Sequence, residues 1–352
     1  MTVDVEVVGG GFSGLACAQA CAVRGLRTVV LERRSACGDA PHTTGLLVKE
    51  AADEWDVPRA ITRTIHGVRL YAPSLRSIDL ESPGYAFLAT DTPALLRWLG
   101  GRAESAGAEI RTGVEWRPGR NSRYLVGADG PRSGVARAFG LGTNRVFLVG
   151  VEREYEEVAS VDPGRLHVFL DSELAPGYIA WVVPGMGMTQ VGLACRLPQR
   201  PRLDRFVTKI GSLFDFSKAR QVGARGGLIP IGGTVRPFAK GHVLLVGDAA
   251  GLVSPLTAGG IHTALHYGRK AGLAIASHVL DGGSDPGRAM EAVIPRFRWK
   301  RLLRRAIDLG PPNAWIDAAF ASSAFRSLAR GIFFHHRGLL SMAAWRDLVF
   351  AR

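Results

Sequence analysis

Three glycines near the start of the chain constrain its fold more than any other feature. Gly9, Gly11 and Gly14 stand between an apolar run at residues 3–8 and an alanine-rich segment at residues 15–24. In this spacing the first glycine makes a tight strand-to-helix turn, the second lets a diphosphate approach the backbone, and the third lets the helix pack on the strand. The N–H groups that begin the helix attract that anion. The pattern predicts a dinucleotide-binding βαβ unit.

An acidic residue at the end of the next strand strengthens this prediction. Residues 26–32 form the predicted strand and end in Glu32, which is 21 residues beyond Gly11. A carboxylate at this position accepts hydrogen bonds from the ribose of a bound adenosine. The predicted contacts of the dinucleotide also include Phe12 and Ser13, which stand between Gly11 and Gly14, and Arg33, which follows Glu32.

A second glycine-rich turn favours FAD over NAD. The apolar strand predicted at residues 242–248 leads into the sequence GDAAGLVSPLTAGGI, and a helix is predicted to begin near its end. An aspartate in this turn can accept hydrogen bonds from ribityl hydroxyls, and the helix N-terminus can stabilise negative charge on a reduced flavin ring. We therefore predict that FAD is the cofactor. In this segment its predicted contacts are Gly247, Asp248, Gly259, Gly260 and Ile261.

Hydrophobic periodicity organises the rest of the chain. Residues 91–113 are predicted to form a helix N-capped by Thr92 and then a short strand. Residues 146–196 alternate apolar and polar positions in short runs, as antiparallel strands do, and helical periodicity returns after residue 286. These patterns predict an α/β fold in which a Rossmann-like FAD-binding domain is interleaved with an antiparallel β-sheet substrate domain, followed by C-terminal helices. The predicted ranges are 1–65, 88–145 and 236–285 for the FAD-binding domain, 66–87 and 146–235 for the substrate domain, and 286–352 for the helical region.

The opening GGGFSG with Glu32, the Asp129-Gly130 segment and GDAAGLVSPLTAGGI resemble a known group of flavoproteins. The group includes p-hydroxybenzoate hydroxylase-type monooxygenases and geranylgeranyl reductases. The hydroxylases usually carry His after GDAA and Asn after the last glycine, where Gly251 and Ile261 stand here, so the chain is more similar to the reductases. This resemblance implies tightly bound FAD, contacts from Asp129 and Gly130, and hydride transfer from reduced flavin to carbon–carbon double bonds of an isoprenoid or lipid-like substrate. The alternatives are an FAD-dependent monooxygenase acting on an apolar or aromatic small molecule, and a flavin-binding protein without catalysis.

The predicted sheet domain resembles the family mainly through the sequence GYIAWVVP at residues 177–184. By this resemblance, Tyr178, Trp181 and Pro184 line an apolar substrate cavity; an ordinary sheet core is the other interpretation. Reductases of the family carry Tyr or Phe two residues before the tryptophan, where this chain has Ile179.

Two further positions differ from the family pattern. The place of a frequent active-site cysteine falls on Thr43, and the place of a cofactor-contacting arginine falls on Thr92, with Arg97 one turn later as a substitute. The catalytic residues are therefore unassigned, with Thr43 and Tyr178 as candidates. The sequence has no second GxGxxG motif, so NAD(P)H or another reduced carrier is expected to dock transiently as the electron donor.

A metal site is not expected from the sequence. His262 and His266 stand four residues apart on the helix predicted after Gly260, a spacing that can present two ligands on one face. No carboxylate or third ligand lies nearby in the sequence. We therefore predict that both histidines are structural.

The charge of the chain bears on its partners. The formal net charge is +13, and residues 288–352 contain twelve basic and four acidic residues. A basic region of this kind with interspersed aromatic residues can contact an anionic surface, while residues 315–350 are equally compatible with amphipathic helices that cap the core. No nucleic-acid-binding module is recognised, and no apolar stretch reaches the roughly 18 residues that span a bilayer. We expect a cytoplasmic protein with an apolar small-molecule or lipid substrate and peripheral contact with the inner face of a membrane.

Overall fold

The computed structural model describes residues 3–119 and 122–334. The chain forms two compact units. The first comprises Met1–Gly45, Asp91–Phe147 and Leu228–Arg304, and the second comprises Leu46–Thr90, Leu148–Gly227 and the described residues from Arg305 onward. The predicted α/β fold, with an interleaved antiparallel sheet and C-terminal helices, is confirmed.

The elements are named in chain order. The strands of the described residues are β1 (Val3–Val8), β2 (Thr28–Glu32), β3 (Leu46–Val48), β4 (Thr62–Ile65), β5 (Gly67–Tyr71), β6 (Ser77–Glu81), β7 (Phe87–Thr90), β8 (Glu109–Thr112), β9 (Ser122–Gly127), β10 (Phe147–Glu156), β11 (Arg165–Phe169), β12 (Ala180–Pro184), β13 (Met188–Arg196), β14 (Gln221–Pro230), β15 (Ala239–Lys240) and β16 (Val243–Leu245). The helices are α1 (Phe12–Val23), α2 (Lys49–Trp55), α3 (Thr92–Ser105), α4 (Gly134–Phe139), α5 (Leu203–Ile210), α6 (Ile261–Asp281), α7 (Pro286–Val293), α8 (Arg298–Asp308), α9 (Asn313–Ala319) and α10 (Ser323–Phe334). Short 3-10 turns occupy Arg59–Ile61 and Gly247–Ala250.

A mostly parallel sheet forms the centre of the first unit. Its strand order is β15-β16-β9-β1-β2-β8. The pairs β1–β2, β1–β9, β9–β16 and β2–β8 are parallel, and the edge pair β15–β16 is antiparallel. Because a parallel sheet is covered on both faces, the residues of β1 are buried almost throughout. Even the carboxylate of Glu6 is buried there, where it accepts a hydrogen bond from the indole N–H of Trp116 at 3.0 Å.

Helix α6 packs directly against α1, and two glycines of α6 make this approach possible. A Cβ atom on Gly268 would overlap the backbone carbonyl oxygen of Ser13, and one on Gly272 would overlap that of Cys17. Cys17 and Cys21 are buried at this contact as free thiols. The close packing therefore depends on the missing side chains, and it holds the beginning of α1 against α6.

Gly272→Val should destabilise the protein strongly. The added side chain would meet the backbone of α1, and overpacking of this kind costs about 3 kcal/mol of unfolding free energy because a backbone cannot rotate away as a side chain can. The matched control is Gly101→Ala in α3, where a Cβ atom meets nothing within 4 Å and replacement of a helical glycine should stabilise by about 0.5–1 kcal/mol. Urea unfolding compares the two variants. Equal stability of Gly272→Val and wild type would contradict the packing described.

The second unit contains a seven-stranded sheet of order β14-β10-β13-β12-β11-β5-β6. Strands β5 and β11 are parallel, whereas β5–β6, β11–β12, β12–β13 and β10–β13 are antiparallel. Alternation along the strands gives two apolar faces. Leu70, Val168 and Val183 belong to one core cluster, and Leu193 joins Phe206 of α5 in the other. Strands β3, β7 and β4 form a separate antiparallel sheet.

The boundaries of the two units differ from the predicted domain ranges. Residues 46–65 lie in the second unit, because β3 and β4 pair with β7 rather than with strands of the parallel sheet. Residues 228–235 and 286–304 lie in the first unit. Strand pairing decides the assignment of residues 46–65, and the local pattern does not contain it.

The C-terminal region is helical as far as residue 334, with α7, α8, α9 and α10 following one another. Residues 335–352, with Trp345 and Phe350 of the basic aromatic region, lie outside the described residues. Helix α9 is fixed to the sheet unit by Asn313, whose Nδ2 donates to Asp171 at 3.0 Å and whose Oδ1 accepts from the backbone N–H of Ser172 at 2.9 Å. Within the part of the chain that is described, no helix has the length and apolar character needed to cross a membrane.

Candidate functional site

The glycine turn after β1 combines two tight contacts with one open position. Gly9 has φ +109°, and Cβ atoms on Gly9 and Gly14 would overlap the carbonyl oxygens of Ala128 and Gly9 respectively. By contrast, a Cβ atom on Gly11 would meet no described atom within 4 Å. Gly11 is the N-cap of α1 and has no side-chain cap hydrogen bond. An open space therefore adjoins the N-terminus of α1, which fits the diphosphate of a dinucleotide.

The carboxylate of Glu32 is held beside this turn by two backbone groups. Its Oε2 accepts a hydrogen bond from the N–H of Gly10 at 2.7 Å, and its Oε1 accepts one from the N–H of Arg34 at 2.9 Å. Both oxygens keep further lone pairs for ribose hydroxyls. The side chain is thus oriented before any ligand arrives, as the sequence position suggested. The neighbouring Arg33 is exposed.

The second glycine-rich segment lies against the first. Gly247 has φ +56°, and a Cβ atom there would overlap the hydroxyl oxygen of Ser13 on α1. The next residue, Asp248, is half-buried, and loss of hydration raises the pKa of its carboxyl to about 6. Its Oδ1 lies 3.6 Å from the position that a Cβ atom on Gly260 would occupy. Because Gly260 is the N-cap of α6, the carboxylate stands beside the partial positive charge of that helix.

These observations group most of the predicted cofactor residues in the first unit. The turn from Gly9 to Gly14 with Phe12 and Ser13, the carboxylate of Glu32, and the segment from Gly247 to Ile261 meet around the N-termini of α1 and α6. Anion-attracting helix ends, a fixed ribose acceptor and a second carboxylate are the chemical groups that FAD requires. The residues present therefore fit this cofactor.

Only one of the two carboxylate oxygens of Asp129 accepts hydrogen bonds from the described residues. Its Oδ2 accepts hydrogen bonds from the N–H groups of Gly134 and Val135 at 2.6 and 3.0 Å, at the start of α4. Its Oδ1 is buried and has no hydrogen-bond partner among the described residues. An unsatisfied buried acceptor is unusual, so this oxygen is suited to a ligand donor. The following Gly130 has φ +81°, which explains glycine at that place.

Asn144 is a residue of this region that sequence reasoning missed. Its side-chain amide donates to the carbonyl oxygens of Pro131 and Asp248, at 3.1 and 2.8 Å. It therefore joins the Asp129-Gly130 segment to the segment of Asp248. No spacing or motif in the sequence singles it out, because the contact spans about a hundred residues.

Thr43, Thr92 and Arg97 are the other positions that the family resemblance singled out. Thr43 is half-buried, and its hydroxyl accepts from the N–H of Gly45 at 3.4 Å. Thr92 is buried as the first residue of α3, so its predicted role as N-cap was wrong: Asp91 caps the helix by accepting from the N–H of Ala94 at 2.9 Å. Arg97 is exposed on α3, and the structure shows no contact between it and the glycine turn.

The predicted histidine pair lies at the start of α6. His262 and His266 are half-buried, and their ring centroids are 6.0 Å apart. Both therefore stand on one face of the helix, as their spacing requires.

The residues predicted to line the substrate cavity do not all lie on one face of the sheet. Trp181 and Pro184 are three residues apart on this strand, so their side chains point to opposite faces of the sheet. Trp181 and Ile179 pack on the apolar cluster that contains Val168 and Val183, whereas Tyr178 lies in the turn before the strand and is half-buried. The geometry does not place Pro184 on the face of Trp181.

Paired residues on the two neighbouring strands, β13 and β10, fix the orientation of the indole ring of Trp181. Gly192 pairs with Trp181 on one side and with Glu152 on the other, and a Cβ atom on Gly192 would lie 2.6 Å from the indole ring. The ring therefore lies across the glycine, and its Nε1–H donates to Oε2 of Glu152 at 2.8 Å. Gln190 donates to the other oxygen of Glu152 at 3.1 Å. Glu152, which is 5% exposed, was not singled out by the sequence.

Comparisons with known proteins agree with this arrangement. The family described as FAD dependent oxidoreductase matches residues 4–128. A digeranylgeranylglycerophospholipid reductase of Methanopyrus kandleri is 31% identical over 313 residues, which cover 77% of this chain and 76% of that protein. A geranylgeranyl diphosphate reductase of Rhodobacter capsulatus is 28% identical over 308 residues, covering 80% and 77% respectively.

A solved structure shows the same fold over the whole chain. A geranylgeranyl bacteriochlorophyll reductase-like protein from Thermoplasma acidophilum superimposes with a TM-score of 0.82 at 22% identity, covering 99% of both chains. The 31% identity to the Methanopyrus kandleri reductase confirms the resemblance that the sequence motifs indicated. The chain is an FAD-dependent oxidoreductase and belongs to the geranylgeranyl reductase family.

Proposed function

We propose that this protein uses FAD to reduce carbon–carbon double bonds of an apolar, isoprenoid or lipid-like substrate. The observation that carries the proposal is the open position at Gly11, at the N-terminus of α1, with the fixed carboxylate of Glu32 beside it. Relatives named for the reduction of geranylgeranyl lipids and diphosphates support the substrate class. Reduced FAD, when bound, supplies the hydride for such a double bond.

Each part of the first unit has a proposed role toward the cofactor. The N–H groups at Gly11, Phe12 and Ser13 bind the diphosphate, and Glu32 accepts from the adenosine ribose. Asp248 accepts from ribityl hydroxyls, and the N–H groups at Gly260 and Ile261 stabilise negative charge at the pyrimidine edge of the flavin. The other proposed contacts to the cofactor are Gly9, Gly14, Arg33, Arg97, Asp129, Gly130, Gly247 and Gly259.

The second unit is proposed to bind the substrate on the sheet face that carries Trp181. Val168 and Val183 are themselves buried in the core, and the half-buried Trp181 and Ile179 at the edge of their cluster are the proposed apolar contacts that would remove an isoprenoid chain from water. Glu152 acts as a positioning residue, because it holds the indole in one orientation without itself offering an apolar surface. Tyr178 and Thr43 stay candidates for contacts near the reacting carbon, and NAD(P)H or another reduced carrier is the proposed electron donor.

An anaerobic turnover experiment tests the proposed reaction. The purified protein is denatured to identify the flavin it releases, and the intact protein is then reduced and incubated with a geranylgeranyl glycerophospholipid. Mass spectrometry should detect the addition of two hydrogens for each reduced double bond, with NADPH or dithionite as the electron source. If instead the product forms only with oxygen and gains one oxygen atom, the protein is a monooxygenase. A bound flavin without either product would rule out both reactions for this substrate.

Glu152→Gln should weaken substrate binding without abolishing turnover. The change replaces a charge-assisted hydrogen bond to Trp181 by a neutral one, a loss of about 1 kcal/mol, which corresponds to about a fivefold rise in KM. The matched control is Glu173→Gln, an exposed carboxylate of the same unit. In a Trp181→Phe background, which lacks the indole N–H, Glu152→Gln should add little. An equal effect in both backgrounds would mean that Glu152 does not act through Trp181.

A further inference from the structure

Helix α8 turns a row of large apolar side chains to the outside. Trp299, Leu302 and Leu303 are 63%, 53% and 49% exposed, and Ile307 one turn later is 36% exposed. Positions i, i+3, i+4 and i+8 lie on one side of a helix, so these residues form a continuous apolar stripe. Single exposed apolar residues are ordinary, whereas a contiguous stripe indicates an interaction surface.

The edge of α8 that adjoins Leu303 and Ile307 is polar and turned inward. Arg304 is only 3% exposed, and burial lowers the pKa of the Lys300 ammonium one turn earlier. An ordinary surface helix buries its apolar side and exposes its charges. In α8 the apolar stripe is exposed while Arg304 is buried, so packing among the described residues does not account for the position of its apolar side chains.

The charges around the stripe identify the kind of surface it suits. Residues 296–309 contain six basic residues and one acidic residue, Asp308. Among the basic side chains, the exposed ones are Arg296, Arg298, Arg301 and Arg305. Beyond the helix, Leu309 and Trp315 are 86% and 71% exposed. Exposed tryptophan and leucine beside arginines are typical of helices that lie in the interface of an anionic bilayer.

We propose that α8 docks the protein on an anionic lipid bilayer. Trp299, Leu302 and Leu303 enter the boundary between headgroups and acyl chains, and the exposed arginines contact lipid phosphates. With eleven residues the helix is about 16 Å long, so it lies along the surface. A second copy of the chain is the poorer partner, because the same basic residues would face one another across a two-fold axis. The inference goes beyond the proposed reaction and does not depend on it.

Vesicle co-sedimentation of the full-length protein tests the proposal. Vesicles of phosphatidylcholine alone are compared with vesicles that also contain phosphatidylglycerol. Wild type should sediment with the anionic vesicles only, and less at high salt. Arg298→Gln/Arg305→Gln should weaken the partition about 30-fold, because each arginine near an anionic surface contributes about 1 kcal/mol. Trp299→Ser/Leu303→Ser should weaken it at least as much.

The matched control is Leu280→Ser on α6, whose side chain is 49% exposed, as is that of Leu303. This variant should sediment as wild type does. Three outcomes would overturn the proposal: sedimentation unaffected by the α8 substitutions, a wild-type dimer that Trp299→Ser/Leu303→Ser dissociates, or iodide quenching of tryptophan fluorescence that is the same in wild type and Trp299→Phe. A dimer of this kind would mean that the stripe contacts a second copy of the chain. Equal quenching would mean that another part of the same chain covers Trp299. Circular dichroism and flavin content establish that each variant is folded.

Discussion

Gly11→Asp should give a folded protein that does not retain FAD. A Cβ atom at Gly11 meets nothing within 4 Å, and the backbone there has φ −87° and ψ −177°, which any residue adopts. The substitution is therefore compatible with the fold. Its carboxylate would occupy the space proposed for the diphosphate and repel it. We therefore expect FAD affinity to fall more than about a thousandfold, which corresponds to a loss of over about 4 kcal/mol from bringing two negative charges together away from water.

The measurement is flavin absorbance after gel filtration, followed by titration of the flavin-free protein with FAD. Gly101→Asp is the matched control, because a Cβ atom at that exposed helical position also meets nothing within 4 Å. This control should retain FAD fully. Retention of flavin by folded Gly11→Asp would place the diphosphate elsewhere and remove the main support for the proposed cofactor site.

Asp248→Asn should stabilise the flavin-free protein while weakening its hold on FAD. Burial raises the pKa of Asp248 to about 6, above the 3.8 of an unperturbed aspartate, so the ionised carboxylate destabilises the folded state at neutral pH. The asparagine carries no charge to desolvate. It is also a weaker acceptor for ribityl hydroxyls, and the exchange of a charge-assisted for a neutral hydrogen bond should raise the Kd for FAD about tenfold.

The pH dependence of stability separates this explanation from a general packing effect. Because the folded pKa is raised, the cost of the carboxylate is complete above pH 6, decreases as the pH falls from about 6 towards 4, and is absent below the unfolded pKa. At pH 8 flavin-free Asp248→Asn should therefore unfold at a higher temperature than flavin-free wild type. Its free energy of unfolding should be higher by up to about 3 kcal/mol. The two should converge near pH 4. A constant difference across this range would show that Asp248 does not titrate as described.

The first βαβ unit and the cofactor turn were readable from the sequence because their signals are local. Glycines that must occupy φ > 0 or touch a neighbouring backbone, such as Gly9 and Gly14, cannot be replaced without a clash, so their spacing records the geometry directly. The position of Glu32 follows from the length of the unit. The segment around Asp248 was recognised for the same reason.

Other parts of the site depend on contacts between distant residues and left no local signal. Asn144 joins two segments through a side-chain amide, and Glu152 reaches Trp181 across Gly192 on an intervening strand. Trp181 and Pro184 were grouped by a motif, although strand alternation sends them to opposite faces. The outward apolar side of α8 could not be read either, since periodicity shows that a helix is amphipathic but not which side it buries.

The glycine contacts between α1 and α6 have a consequence for the rigidity of the proposed cofactor site. The two helix ends proposed to grip opposite portions of FAD belong to helices whose backbones touch at Gly268 and Gly272. The two helix ends cannot move apart unless this backbone contact separates. We therefore expect the two helix ends of the proposed FAD site to keep the same relative position with and without bound FAD.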